Sequence, residues 1–517
     1  MSKELLLALD GGSSSFRAII FDRNGNQLFI NQREWHHLHD PEIPGSMGFD
    51  FKENWELISS CINELIISNN INPEDIIGLS TTTMREGFVL YDESGEELIG
   101  FANVDSRSIE ESSFLKKNYP DLESELYKST GESYALGALP RLLWVKNNLP
   151  DLMDKGYCFN MLNDWISYKL TGILASEPSN SSTSGLFNIH SRTWELEKLE
   201  IFDITLNSVP VIESGSLLGF VSKEASEKTG LSTNTSVIMG GGDVQLGCVG
   251  LGILENNETA LIGGTFWQLA HNTDTVSVDP NQSIRFNCHA LPNMWQHELI
   301  AWQVGNSIDW FLEAFFSSEL LELKSKNALY TFINENIVDI PPGSYGTLAL
   351  FSNTMNMMTL KNCAPTFTNF QLDSTKYNRF SFYKALMESV ALVVLQHKQK
   401  IEQFSNEPIK ELVFAGGASN NSIWCQIISD ALGIPVKVPK VKEATAFGAA
   451  LTAGIGTQLI NKEKAAKLIQ FEKIYYPNFE NTQIYKNLVG KWRVAYEAQL
   501  SLADNGITDS MWRAPGI

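Results

Sequence analysis

The stretch LLLALDGGSSSFRAIIFD, residues 5–22, decides the fold. An apolar run, Leu5–Leu9, ends on Asp10, and a second, Ala18–Phe21, ends on Asp22. Between them stand only small residues: Gly11, Gly12, Ser13, Ser14 and Ser15. This order predicts a strand, a tight turn and a returning strand. Glycines let the backbone approach a ligand closely, and the hydroxyls stand beside exposed N–H groups that suit phosphate oxygens. With Asp10 at its mouth, the turn suits a metal-bound polyphosphate.

A second element of the same form lies at residues 259–270, where Thr259–Ile262 and Phe266–Ala270 flank a Gly263-Gly264-Thr265 turn. One Gly–Gly turn is ordinary in hairpins. Two such elements, one opening each half, predict two similar domains facing each other with a ligand in the cleft. The boundary falls near residues 243–258, which gives domains 1–248 and 249–517. Elsewhere short apolar strands (Ile76–Ser80, Phe88–Tyr91) alternate with amphipathic helices such as the one carrying Trp55, Ile58, Ile62 and Leu65 at helical spacing. The class is α/β.

A chain of 517 residues exceeds one compact core, in agreement with two domains. A net charge of −21 disfavours a nucleic-acid partner but leaves a small anionic cofactor open, because glycine turns and helix N-termini bind phosphate locally. The six cysteines are scattered with no C-x-x-C pair, and no apolar stretch reaches the length of a membrane span. A cytoplasmic enzyme with reduced thiols, a small-molecule substrate and no membrane partner is expected; the oligomeric state is left open.

Four further constellations carry chemistry. Val237–Met239 runs into Gly240, Gly241 and Gly242 and then Asp243. Three residues without side chains let Asp243 meet a substrate at close range, and phosphoryl transfer to an alcohol uses an Asp to take the hydroxyl proton. The competing reading is an Asp at a helix start. Leu412–Ala415 is followed by Gly416 and Gly417, which leave room for a flat ring, and by Asn421, which offers both a donor and an acceptor. Glu443–Gly454, rich in Ala and Gly, reads as a tightly packed helix forming a wall behind a nucleotide. Arg85 and Glu86 follow a strand end, where α/β proteins bind ligands, and suit the oxygens of a polyhydroxy or carbonyl compound. Asp105 and Asp164 are further acceptor candidates. For all four, an internal salt bridge or a helix cap is the competing reading. Neither a G-x-x-x-x-G-K-[ST] loop nor a G-x-G-x-x-G fingerprint occurs.

Taken in order, Asp10–Arg17, Asn163-Asp164-Trp165 with Leu170-Thr171-Gly172, Gly240–Asp243, Gly263–Thr265, Gly416–Asn421 and Glu443–Gly454 resemble the motif set of the FGGY carbohydrate kinases. The resemblance implies two actin-like (ribonuclease H-like) domains with a central ATP and substrate cleft. It implies ATP binding by Asp10, Gly11, Gly12, Ser13, Ser14, Gly263, Gly264, Thr265, Gly305, Gly416, Gly417 and Asn421, and proton removal by Asp243. Arg85 and Glu86 align with the pair that holds glycerol in relatives, and Asp10 and Asp243 would hold Mg²⁺ through water. Asp105, Asp164, Asp243 and Gln268 complete the acceptor set, Gln268 by its place after the second phosphate turn. Family members are also subject to regulation by sugar-phosphotransferase-system proteins.

Within the family, Glu34-Trp35, Pro44–Met47, Met84–Gly87, Asn103–Asp105, Gly264–Gln268 and Trp512–Gly516 resemble kinases whose acceptor is a linear dihydroxypentanedione. Val244 stands where glycerol kinases carry Gln, and Trp267-Gln268 replaces smaller residues. These departures argue against glycerol. A ketopentose, polyol or glycerol kinase is the alternative within the family, and an actin-like ATPase without an acceptor is the alternative outside it.

Overall fold

A computed structural model of the chain describes residues 4–513, apart from 136, 356, 357, 359 and 360. Ala514–Gly516, invoked above, lie outside the described residues.

The opening stretch forms β1 (Leu5–Gly11) and β2 (Ser15–Asp22), followed by β3 (Gln27–Glu34). Helix α1 (Phe51–Ser68) is capped by Asp50, whose carboxylate accepts the N–H groups of Lys52 and Glu53. It buries Trp55, Ile58, Ile62 and Leu65, the stripe that its periodicity defines. Next come β4 (Ile76–Thr83), helix α2 (Leu162–Thr171), β5 (Leu217–Phe220) and β6 (Ser236–Gly242). The six strands form one sheet in the order β5-β6-β4-β1-β2-β3. Here β1, β4 and β6 are parallel, with Gly11 beside Thr83 and Thr83 beside Gly242. Asp10, Arg85 and Asp243 therefore emerge side by side from the carboxyl ends of three neighbouring parallel strands, the edge at which open α/β sheets bind ligands.

The glycines of β6 are a steric requirement. A Cβ on Gly240 would lie 1.6 Å from the Thr81 carbonyl oxygen, and one on Gly241 2.6 Å from the Ser179 hydroxyl. The register between β6 and β4 shifts here, between Ile238 and Gly241. Helix α3 (Asp243–Leu251) starts directly after them.

The second half builds β7 (Thr259–Gly263), β8 (Trp267–Thr273), β9 (Arg285–Cys288) and β10 (Trp295–Ala301). Helices α4 (Val304–Phe315), α5 (Lys326–Ile337) and α6 (Arg379–Ser405) follow. Then come β11 (Leu412–Ala415), α7 (Ser422–Leu432), β12 (Val436–Pro439), α8 (Ala444–Gly456) and β13 (Phe471–Tyr475). Its sheet runs β9-β10-β8-β7-β11-β12-β13. As in the first sheet, the glycine hairpin β7–β8 lies next to a parallel strand, β11, with Ile262 beside Ala415. The two halves thus repeat a glycine hairpin at a sheet's carboxyl edge; the second glycine segment follows the adjacent strand, β11, in the second sheet and lies one strand further along, on β6, in the first.

Each sheet has its own core. Trp55, Trp165, Leu79 and Val237 pack on one face of the first, and Trp267, Phe311, Tyr383 and Trp424 on one face of the second. Helix α8 corrects one expectation. It packs on the first sheet and on α3, sharing a core with Ala8, Ile19 and Leu246 rather than backing a nucleotide. A Cβ on Gly448 would lie 1.8 Å from the Leu246 carbonyl oxygen, and one on Gly250 2.0 Å from that of Ala444. The small residues serve a backbone-to-backbone helix crossing. All six cysteines are free and buried, and among the described residues no helix is long and apolar enough to cross a membrane.

Candidate active site

The second glycine hairpin opens onto a cavity of about 860 Å³. Gly263, Gly264, Thr265, Gly305, Gly417 and Asn421 all line it. Gly416 sits behind them at φ +88°, and a Cβ there would lie 2.4 Å from the Gly263 carbonyl oxygen, so the two glycine turns touch through their backbones. At Gly417 a Cβ would meet nothing within 4 Å, which leaves the space that a flat ring needs. Gly305, in the first turn of α4, donates its N–H to the Thr265 carbonyl at 3.0 Å. That contact brings a helix N-terminus up to the phosphate-type turn, where its unpaired N–H groups favour anions.

Asn421 is corrected in one respect. Its Oδ1 accepts the N–H groups of Ile423 and Trp424 and so caps α7, while its Nδ2 donates to Asn334 Oδ1 at 3.2 Å. It shapes the cavity wall but has no free acceptor for a base. Asp309, Lys326, Tyr330 and Tyr383 also line the cavity and were missed. They come from three helices that carry no motif.

The first hairpin turn does not line this cavity. It is fixed from below: Trp35 Nε1 donates to the Gly12 carbonyl, and Asn103 Nδ2 donates to the Ser13 hydroxyl at 3.2 Å. Ser13 and Ser14 are exposed. Asp10 is buried and pairs with Arg17 at 2.5 Å, and Arg17 in turn pairs with Glu443 of the second half. Burial raises the Asp10 pKa; Arg17 opposes the rise and Glu443 adds to it.

Asp243 occupies the first turn of α3, and its Oδ1 accepts the Val244 N–H at 2.8 Å. One third of its side chain faces the cleft. Desolvation by the surrounding wall nevertheless pushes its pKa up to about 6; Arg85 opposes this, Glu86 and Asp10 add to it, and the Val244 N–H lowers it. A carboxylate in that range suits a general base near neutral pH. Asp10 and Asp243 are close enough to couple electrostatically, and two carboxylates plus phosphate oxygens are a donor set that Mg²⁺ accepts.

Arg85 and Glu86 do not pair with each other. Arg85 places both terminal nitrogens on Glu298 of β10, at 2.5 and 2.9 Å, and its Nε faces Asp243 Oδ1 at 3.5 Å. Glu86, at φ +65°, pairs with Arg285 of β9 at 2.5 Å. Arg285 also pairs with Glu132 and lies 3.7 Å from Glu298. The salt-bridge reading therefore describes where their charges go, with partners from the other half of the chain.

Asp105 and Asp164 are placed away from the cleft surface. The Asp105 carboxylate accepts the Met47 N–H and clasps Arg107, with its side chain fully enclosed. Asp164 accepts from Asn163 and from the Glu177 N–H. Burial, with Glu177 nearby, raises its pKa well above the usual range. These two carboxylates organise the loops behind the site. Gln268 is half-buried on β8 and makes no side-chain hydrogen bond among the described residues.

Sequence reasoning also missed the buried segment 176–184. Ser179 Oγ accepts the Gly242 N–H, Thr183 Oγ1 the Glu86 N–H and Ser182 Oγ the Cys288 N–H. Three hydroxyls of one short stretch thus fix the turn before Asp243, the Glu86 loop and strand β9. Gln245, buried on α3 beside Gly242, has neither amide atom hydrogen-bonded within the described residues.

Fold and site together describe two sheets with matching glycine hairpins, a cavity of about 860 Å³ under the second and the Asp243 carboxylate beside the first. The chain matches the family models "FGGY family of carbohydrate kinases, N-terminal domain" over residues 5–250 and "C-terminal domain" over residues 294–457, and it belongs to that family. It is a kinase that phosphorylates an alcohol. Over its full length it is 41% identical to the autoinducer-2 kinase of Escherichia coli K12, covering 98% of that protein. Over 99% of its length it is 41% identical to the autoinducer-2 kinase of Klebsiella pneumoniae, covering 97% of that one. Among solved structures it resembles the xylulose kinase of Rhodospirillum rubrum (TM-score 0.84, 21% identity, 96% of this chain and 98% of that one). It also resembles Plasmodium falciparum glycerol kinase with ADP (TM-score 0.83, 19% identity, 96% and 98%). At these identities the structural likeness speaks for the fold.

Proposed function

We propose that this kinase transfers the γ-phosphoryl group of ATP to the terminal hydroxyl of linear dihydroxypentanedione, the open form of autoinducer-2. The observation that carries this reading is full-length similarity at 41% to proteins named autoinducer-2 kinase. The departure from the glycerol kinase pattern at Gln268, half-buried beside the second glycine turn, supports it, whereas Val244 and Trp267 are core residues.

In this reading the cavity beneath Gly263–Thr265 and Gly416–Gly417 holds the nucleoside, and the Gly11–Ser14 turn faces its phosphates from the first domain. The division 1–248 and 249–517 assigns one glycine hairpin to each domain. Asp10 and Asp243 would hold Mg²⁺ through water, and the ion would neutralise charge on the transferring group. Asp243 accepts the proton of the attacking hydroxyl. Arg85 and Glu86 orient the acceptor's oxygens, with Gln268 facing the same cleft. Closure of the domains keeps water from competing with the acceptor.

The test is ATP-dependent phosphorylation by purified protein of freshly prepared dihydroxypentanedione, set against glycerol, xylulose and ribulose. Saturable turnover of a pentulose with none of the dione would reject the acceptor.

A further inference from the structure

Five charged side chains form an unbroken chain from Asp243 to Glu86, buried at its three central members: Asp243, Arg85, Glu298, Arg285 and Glu86. Arg85, Glu298 and Arg285 are each no more than 5% exposed. The two ends belong to the first half of the sequence, while Glu298 and Arg285 come from the β9–β10 hairpin of the second. Arg285 lies in the interval that neither family model covers.

The geometry of Arg85 gives this chain a purpose beyond cohesion. A guanidinium presents a planar fork that pairs bidentately with a carboxylate. Asp243 is a carboxylate within 3.5 Å of Arg85 Nε, so an unrestrained Arg85 would turn its fork onto the base and occupy the lone pairs that must accept the hydroxyl proton. Glu298 takes both terminal nitrogens instead. Arg285 stands behind Glu298 and holds Glu86 and Glu132 at the same time, and Asn287 shares Glu132.

We propose that Glu298 is a positioning residue for phosphoryl transfer: by occupying the Arg85 fork, and with Arg285 behind it, it keeps Asp243 free and Arg85 and Glu86 aimed at the acceptor. This rests on the reading of Asp243 as the base and of Arg85 and Glu86 as acceptor ligands. The second domain thereby contributes to the acceptor site through side chains that need not touch the acceptor.

The test is Glu298→Gln, which keeps the shape and removes the charge. None of the five residues lines the nucleotide cavity, so ADP affinity reports the integrity of the fold. The expected result is an acceptor KM raised at least about tenfold, as loss of a charge-assisted bidentate pair implies. ADP affinity should stay within about twofold, and the ratio of ATP hydrolysis to acceptor phosphorylation should rise. Glu298→Asp, which restores the charge, should recover part of the loss. An unchanged acceptor KM and hydrolysis ratio overturns the proposal, as does a parallel loss of acceptor and ADP affinity, which marks a structural role alone. If Glu298→Gln does not fold, Arg285→Lys keeps the charge and loses the fork; it should show the same split at smaller size, and unchanged acceptor kinetics there overturn the proposal equally. Asp243→Asn run alongside separates the two levels: turnover retained by that variant rejects the underlying reading, whereas turnover lost there with unaltered Glu298→Gln kinetics rejects only the positioning role.

Discussion

Substituting Gly416 by Ala tests whether the nucleotide cavity depends on the contact between its two glycine turns. Gly416 sits at φ +88° and ψ 177°, a region that residues with a side chain avoid. Holding alanine there costs about 1–3 kcal/mol in backbone strain alone. The added Cβ would also lie 2.4 Å from the Gly263 carbonyl oxygen and 2.9 Å from its carbon. Ordinary contact needs roughly 1 Å more, so Gly263–Thr265 and Gly416–Gly417 must spread apart. Spreading moves Thr265 away from Gly305, which now bonds to it at 3.0 Å. Strain of that size, relieved only by opening the site, weakens nucleotide binding by about 5–150-fold. For a half of some 250 residues it lowers Tm by about 2–4 °C per kcal/mol. Calorimetric titration with ADP reads the first effect and a thermal melt the second. Gly417→Ala, where the added Cβ meets no protein atom, is the control for the melt and should leave Tm within error. Wild-type ADP affinity and Tm in the Gly416→Ala protein would show that the cavity does not depend on the contact between the two turns.

Three further outcomes follow from the same geometry. Asp243→Asn should lower kcat by about 10²–10⁴ while leaving ADP affinity within about twofold, because the variant keeps the Val244 contact and loses the base. In wild type the basic form of Asp243 exists above a pKa of about 6, so kcat/KM for the acceptor should fall about tenfold per pH unit below that value and level off above it. A flat profile from pH 5 to 8 contradicts the assignment. Asp164 has its folded pKa raised well above 3.8, so its contribution to stability is complete below pH 4 and is lost as pH rises through the folded value. Asp164→Asn should therefore gain stability relative to wild type between pH 5 and pH 8; urea melts at both values check it, and a constant difference argues against a protonated Asp164.

The glycine hairpins were legible because their signal is local: apolar runs of strand length, broken by residues that only a turn tolerates. The same holds for α1, whose stripe is spelled out at helical spacing, and for α7, stopped by Gly433 in the left-handed region. What stayed hidden depends on distance along the chain. Arg85 finds Glu298 213 residues later, and Glu86 finds Arg285 199 residues later. Only the docking of β9 and β10 against the first half creates those pairs. Helix α8 was recognised as a close-packing helix but given the wrong partner, since its composition says that something approaches closely and not what does. Asn421 read as a ligand group because a cap and a ligand draw on the same side chain. The polar stretch Ser176–Ser184 looks like an exposed loop, yet it is buried because the N–H groups of Glu86, Gly242 and Cys288 need its hydroxyls.

The central claim is that this two-domain kinase acts on the open dione rather than on a sugar or glycerol. The measurement that meets it most directly is a coupled ADP-release assay run in parallel on dihydroxypentanedione, xylulose, ribulose and glycerol, with the phosphorylated product identified by mass and by phosphorus NMR. Saturable turnover of the dione is expected at a kcat/KM at least about 100-fold above the others, a gap of about 2.7 kcal/mol in transition-state binding, with phosphate on the terminal oxygen. A pentulose or glycerol turned over as well as the dione, or ADP release that ignores every acceptor, would contradict it.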